Sequence, residues 1–156
     1  MDIRARLNLS YVPRWVIVPM MRQQSVADHS FRVAVIVTEL LARINHGRPD
    51  LIPYPDFGAI LYSALLHDEK EAVTGDTPAP RKPVEVPDDA YDLIVKAADI
   101  METRTWLRMW GHQSVVTGIL ADNEHRYEVY LGALEAKMPG TRDVVLNLER
   151  ELMEGC

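Results

Sequence analysis

The sequence predicts an all-α fold, a compact bundle of about six helices forming one domain over residues 1–156. Three observations carry this expectation. Apolar residues recur at three- and four-residue spacing in long stretches, each bounded by start and stop residues. No stretch shows the apolar–polar alternation that a half-buried strand needs. Hydrophobic residues make up 47% of the chain, enough for one real core at this length.

Met1 to Ser10 can form a short helix with Ile3 and Leu7 on one face. Tyr11 to Pro19 differs, because Pro13 and Pro19 bracket it. Each fixes its own φ and removes an amide donor, so this segment is extended or turning. Val12, Val16 and Val18 suit an apolar strap over the core. Arg14-Trp15 fits that role less well, since a guanidinium beside a large flat ring also suits a nucleotide.

Ser25-Val26-Ala27-Asp28 reads as an N-cap with an acid at the third position. The helix then runs to about Asn45, with Gly47 as its stop. Its apolar face is Val33, Ile36, Val37, Leu40, Leu41 and Ile44. His29 lies four residues before Val33 and therefore points inward. Alone, such a histidine reads as a satisfied core residue; opposite other ligand types it reads as part of a site.

Arg48 to Pro55 is a proline-rich connection, after which Asp56 can cap the next helix. That helix carries Phe57, Ile60, Leu61, Ala64 and Leu65 at helical spacing and ends in His67-Asp68. Adjacent residues on a helix point about 100° apart, so this pair can flank one point only at a helix end or against a cavity. A histidine there also suits the negative end of the helix dipole without further role. Glu69 to Val73 continues as a turn or short helix, ended by Thr74-Gly75-Asp76. Pro78, Pro80, Pro83 and Pro87 follow, with Arg81-Lys82 among them, too many prolines for regular structure. A loop this long in a small domain is mobile or functional.

Pro87-Asp88 opens a helix that runs to about Trp110, with Gly111 as its stop. Inside it, Asp99 sits between small and apolar neighbours. A buried carboxylate without a partner is costly, so Asp99 wants a metal, a histidine or a cation. Lys96, three residues earlier, is the simplest candidate. Gln113 to about Lys137 forms one or two helices, Pro139-Gly140 breaks them, and Thr141 caps a last amphipathic helix with Val144, Val145, Leu148 and Leu152.

The net charge of −6 argues against nucleic-acid or membrane-surface binding, which would want a basic stripe. It leaves room for a small anion in a local basic pocket. The single cysteine is Cys156, so no disulfide framework and no cysteine zinc site is possible. With no transmembrane-length apolar run and no signal-peptide core at the N-terminus, the expectation is a cytoplasmic protein.

Taken together, His29, His67, Asp68 and Asp99 come from three helices. Two imidazoles and two carboxylates can hold one divalent transition metal and leave positions for water and substrate. Glu71, four residues after His67, shares its face if the helix continues. That places a further carboxylate where a general acid or base belongs, with Asp76 on the next turn as a second candidate.

The order His29, His67-Asp68, Asp99 resembles that of the HD-domain metal phosphohydrolases. The likeness sharpens over His67-Asp68-x-x-Glu71-x-x-Thr74-Gly75-Asp76-x-Pro78, Arg14-Trp15, Val26-x-Asp28-His29-Ser30 and Lys96-x-x-Asp99. Those patterns resemble bacterial 5′-deoxynucleotidases and the related phage dATP triphosphohydrolases, over about residues 11 to 105. The resemblance implies a compact HD-domain bundle with His29, His67, Asp68 and Asp99 as ligands to Co²⁺, Mn²⁺ or Zn²⁺, with Mg²⁺ on the triphosphate. It implies that Glu71 and Asp76 organise the attacking water and departing oxygen. Arg14, Lys82 and Lys96 would hold phosphates, Trp15 would lie against the deoxyribose, and Ile17 would abut the purine edge.

The implied reaction converts dATP to deoxyadenosine and tripolyphosphate, depleting the dATP pool, in the host cytoplasm if the chain is phage-encoded. The implied assembly is a homo-oligomer, dimer or hexamer, with neither nucleic-acid nor membrane partner. A general 5′-deoxynucleotidase acting on monophosphates is the alternative enzyme. A helical nucleotide-binding module with a structural metal is the alternative without catalysis.

Overall fold

A computed structural model describes residues 2–15, 18–48, 50–71 and 84–154. The described residues form six α-helices: α1 (Ile3–Leu7), α2 (Val26–Asn45), α3 (Phe57–Leu66), α4 (Ala90–Trp110), α5 (Gln113–Lys137) and α6 (Thr141–Glu154). Short 3₁₀ turns at Asn8–Tyr11 and Tyr54–Asp56 precede the strap and α3. Among these residues there is no β-strand, only the isolated bridges Pro13–Ser25 and Met20–Gly111. No described helix is long and apolar enough to cross a membrane.

Helix α2 is the central element. Ser25 caps it, its Oγ accepting the Asp28 amide at 3.0 Å. The face Val33, Ile36, Val37, Leu40, Leu41 and Ile44 is buried as its spacing predicts. Burying such a side chain contributes roughly 1.5–3 kcal/mol, so this face alone commits α2 to the interior. Helix α2 packs against α3, α4 and α6, and α5 covers α4 and α6. Leu93, Ile94 and Met101 from α4 and Leu131 and Leu134 from α5 complete the main core.

Gly47 follows the end of α2 with φ +74°, as its reading as a stop requires. Gly111 ends α4 for a different reason. A Cβ there would lie 2.6 Å from both the Leu107 carbonyl and Val116 Cγ1, so only glycine lets α5 leave so close to α4. Gln113–Lys137 is one continuous helix.

The strap, described over residues 12–15 and 18–26, folds back on itself. The Arg14 amide donates to the Gln24 carbonyl at 2.7 Å and the Val26 amide to the Val12 carbonyl at 2.8 Å. The Met21 amide donates to the Trp110 carbonyl at 2.7 Å, fixing the strap to the end of α4. A second, smaller core forms there from Trp15, Val18, Trp106, Leu107 and Val116.

Several local expectations are corrected. Ile3 and Leu7 share a face but stay exposed, because α1 buries no residue. Asp56 makes no cap bond to α3; it accepts the Tyr91 hydroxyl at 2.6 Å instead and joins α3 to α4. Helix α4 is capped by Asp89 rather than opened at Asp88. Arg22 lies over the rings of Trp106 and Trp110 at 5.8 and 5.3 Å.

Candidate metal centre

Three helices bring their chemistry to one point. Helix α3 ends at Leu66, and His67 is its C-cap residue, so the chain turns just where the His67-Asp68 pair needs it to. His67 Nδ1–H donates to the Ala64 carbonyl at 2.7 Å, which leaves Nε2 as the outward atom. That atom lies 3.1 Å from Asp68 Oδ2 and 3.4 Å from Asp99 Oδ1. His29, buried one turn into α2, places Nε2 at 2.6 Å from Asp99 Oδ1 and 3.6 Å from Asp68 Oδ2. One donor atom from each of His29, His67, Asp68 and Asp99 falls within 4.8 Å of the other three.

The electrostatics of the cluster call for a cation. Burial opposes charge on His67, yet the Asp99 and Asp68 carboxylates outweigh it and push the imidazole up to about 10. Burial likewise opposes charge on Asp68 and Asp99, and the facing imidazoles hold both carboxyls below their ordinary range. With Nδ1 committed to Ala64, Nε2 is the atom that His67 turns toward the two carboxylates. His67 Nε2 is buried and has no well-directed hydrogen-bond partner among the described residues. Two imidazole nitrogens and two carboxylate oxygens at these separations form a donor set suited to a divalent transition metal. The residues therefore fit the ion that their pattern implies.

Behind His29 stands a residue that the sequence reading missed. Glu102 Oε1 accepts His29 Nδ1–H at 2.6 Å and Gln24 Nε2–H at 3.0 Å. Its Oε2 accepts Arg32 Nε–H at 2.8 Å, and Arg14 Nη1 lies 3.7 Å from Oε1. Burial works against this charge, but His29, Arg14 and Arg32 outweigh it and hold the carboxyl down at about 2. A signal was present: Glu102 follows Asp99 by three residues, on the same face of α4, after the run Ile100-Met101.

The remaining expected residues divide into two groups. Arg14 is buried beside this network; Nη1 donates to Gln24 Oε1 at 2.9 Å and Nη2 to Thr103 Oγ1 at 3.4 Å. Its Nε has no hydrogen-bond partner among the described residues. Trp15 is buried in the second core, with the Arg14 guanidinium 4.7 Å from its ring centroid. Glu71 is buried one helical turn past His67, its amide bonded to the Asp68 carbonyl at 3.0 Å. Lys96 is exposed on α4, one turn before Asp99, which meets the two histidines. Ile17, Asp76 and Lys82 lie outside the described residues, as do Thr74, Gly75 and the first prolines of the loop. His125 is exposed.

The fold is that of the HD phosphohydrolases. The structure superposes on the cyanophage S-2L HD phosphohydrolase DatZ, solved bound to dA and one catalytic Zn²⁺ ion, with a TM-score of 0.70 over 100% of this chain and 98% of that one, at 19% identity. Residues 4–87 match the model of the YfbR-like 5′-deoxynucleotidases. The chain is 31% identical to the dATP triphosphohydrolase of Salmonella phage PMBT28, over 99% of its own length and 89% of the relative's. It is 35% identical over 78 residues to a 5′-deoxynucleotidase of Photobacterium profundum, covering 50% of this chain and 38% of that protein. The chain belongs to the YfbR-like 5′-deoxynucleotidase family.

Proposed function

We propose that the protein is a metal-dependent phosphohydrolase that converts dATP to deoxyadenosine and tripolyphosphate. The observation that carries the reading is the convergence of four donor atoms from three helices within 4.8 Å. The choice of dATP is supported by the Salmonella phage relative, which matches over nearly the whole chain.

In this reading His29, His67, Asp68 and Asp99 hold Zn²⁺, Co²⁺ or Mn²⁺. Such an ion supplies a Lewis acid that draws charge from a phosphoryl oxygen and acidifies water. Glu71 takes the proton of the attacking water, whose oxygen forms a bond to the α-phosphorus. The bond from that phosphorus to the 5′-oxygen breaks, and the departing oxygen, oriented by Asp76, takes up the proton that Glu71 removed from the water. Arg14, held by Gln24 and Thr103, supplies positive charge for a phosphate. Lys96 and Lys82 hold the rest of the triphosphate. Trp15 lies against the deoxyribose and Ile17 against the purine edge.

The test is a panel of dATP, dAMP, ATP and dGTP, each with Zn²⁺, Co²⁺ and Mn²⁺. The reading expects tripolyphosphate from dATP and little turnover of ATP. Glu71→Gln should lower kcat by about 10²–10⁴-fold, the usual contribution of a general base. Intact dATP with every metal would overturn the reading.

A second reading, a 5′-deoxynucleotidase acting on monophosphates, is favoured by the family match itself; preferential hydrolysis of dAMP would select it. A structural metal in a helical nucleotide-binding module would show as a loss of stability in Asp99→Ala, with no turnover in the parent protein. The expected homo-oligomer is supported by exposed Phe31 and Val35 on one face of α2, and light scattering on the purified protein measures its order.

A further inference from the structure

The two histidines of the cluster are held in different ways. A backbone carbonyl, that of Ala64, fixes His67. A buried carboxylate, Glu102, fixes His29. Glu102 is 0% exposed and is gripped from four sides, by His29, Gln24, Arg32 and Arg14. Placing a glutamate there is costly unless its charge and all its lone pairs are used. Its partners reach it from far along the chain, 70 to 78 residues away for Arg32, His29 and Gln24.

Oε1 is the shared atom. It faces His29 Nδ1 on one side and Gln24 Nε2 on the other. The amide oxygen of the same Gln24 accepts from Arg14 Nη1 at 2.9 Å. One chain of hydrogen bonds therefore runs from Arg14 through Gln24 and Glu102 to His29. With two arginines beside it, Glu102 stays an acceptor and leaves the proton on His29 Nδ1. The His29 lone pair is then confined to Nε2, the atom that faces Asp99 and Asp68.

We propose that Glu102 is a positioning residue of the metal centre: it fixes His29 in the Nδ1–H tautomer, so that Nε2 meets the ion, and links this ligand to Arg14. The inference rests on the metal-centre reading above and adds a determinant of ion affinity outside the four ligands. Partners of this kind orient a ligating imidazole and raise its basicity, and their loss weakens metal binding by about 10–100-fold.

The test compares Zn²⁺ and Co²⁺ binding by the parent protein and Glu102→Gln, using calorimetry and the visible spectrum of the Co²⁺ form. The glutamine keeps an acceptor oxygen but removes the charge. Metal affinity should fall by about 10–100-fold, and the Co²⁺ spectrum should change, while circular dichroism shows the helical fold retained. A parent protein that binds neither ion defeats the metal-centre reading itself. A parent that binds, with Glu102→Gln binding equally well and giving the same Co²⁺ spectrum, defeats the Glu102 assignment alone. Should the variant fail to fold, ¹⁵N NMR of the parent histidines decides. Protonated Nδ1 on His29 supports the assignment, and protonated Nε2 overturns it.

Discussion

Trp15 holds a left-handed backbone, φ +62°, that a bulky L-residue adopts only at a cost of about 1–2 kcal/mol. Burial of its indole against Val18, Trp106, Leu107 and Val116 offsets that strain. Lost packing and relieved strain act with opposite signs when this residue is replaced. Trp15→Ala should destabilise the protein by about 3–5 kcal/mol through lost packing. Trp15→Gly should be milder than Trp15→Ala by about 1 kcal/mol, since glycine takes φ > 0 freely, the reverse of the usual order. Urea denaturation of both variants measures the difference. At this scale the sequence reading reached some residues and missed others. Burial of a charge led it to Asp99, whereas Glu102, on the same helix face, was passed over. Its position three residues after Asp99 was the one local signal, and the partners that make it count approach from α2 and the strap.

Helices are tied together by exposed polar clips as well as by the core. Glu135, near the end of α5, accepts the Gly140 amide through Oε1 at 2.8 Å and the Arg142 amide through Oε2 at 2.9 Å. It therefore closes the α5–α6 turn and caps α6, whose free amides favour negative charge. These backbone bonds hold its carboxyl below the ordinary glutamate value. Because folding lowers this pKa, the contribution is fully present above the unfolded value, near 4.3. It is lost as pH falls through the lower folded value. Glu135→Gln should melt below the parent protein at pH 7, and the gap should close as the pH falls through and below about 4. Thermal melts from about pH 7 to about pH 3 check this. The two ends of α2 and the end of α4 were legible because Ser25, Gly47 and Gly111 carry local cap or stop chemistry, whereas the Thr141 hydroxyl, expected to cap α6, donates to the Met138 carbonyl instead. Asp56 misled for the same reason: its side chain suits a cap, but Tyr91, brought in by α4, takes it.

Across the whole molecule, the cluster ties together the start of α2, the end of α3 and the middle of α4. An ion that binds only the folded state adds stability through mass action, about 2.7 kcal/mol at about 100 times its Kd. Zn²⁺ or Co²⁺ should therefore raise the melting temperature of the parent protein, and a chelator should reverse the rise. Asp99→Ala should abolish the metal-dependent shift while remaining folded without metal. Scanning calorimetry with and without ion measures both.

The sequence by itself determined the main helices and the inward face of α2, because helical periodicity and cap chemistry are local. It also singled out His29, His67, Asp68 and Asp99 as chemically apt residues. Only the tertiary structure decided that their donor atoms meet and that Arg14 and His29 share a network through Gln24 and Glu102. The physical reason is that a buried charge is stable only beside its partners. Those partners come from distant parts of the chain, and packing rather than local spacing brings them within reach.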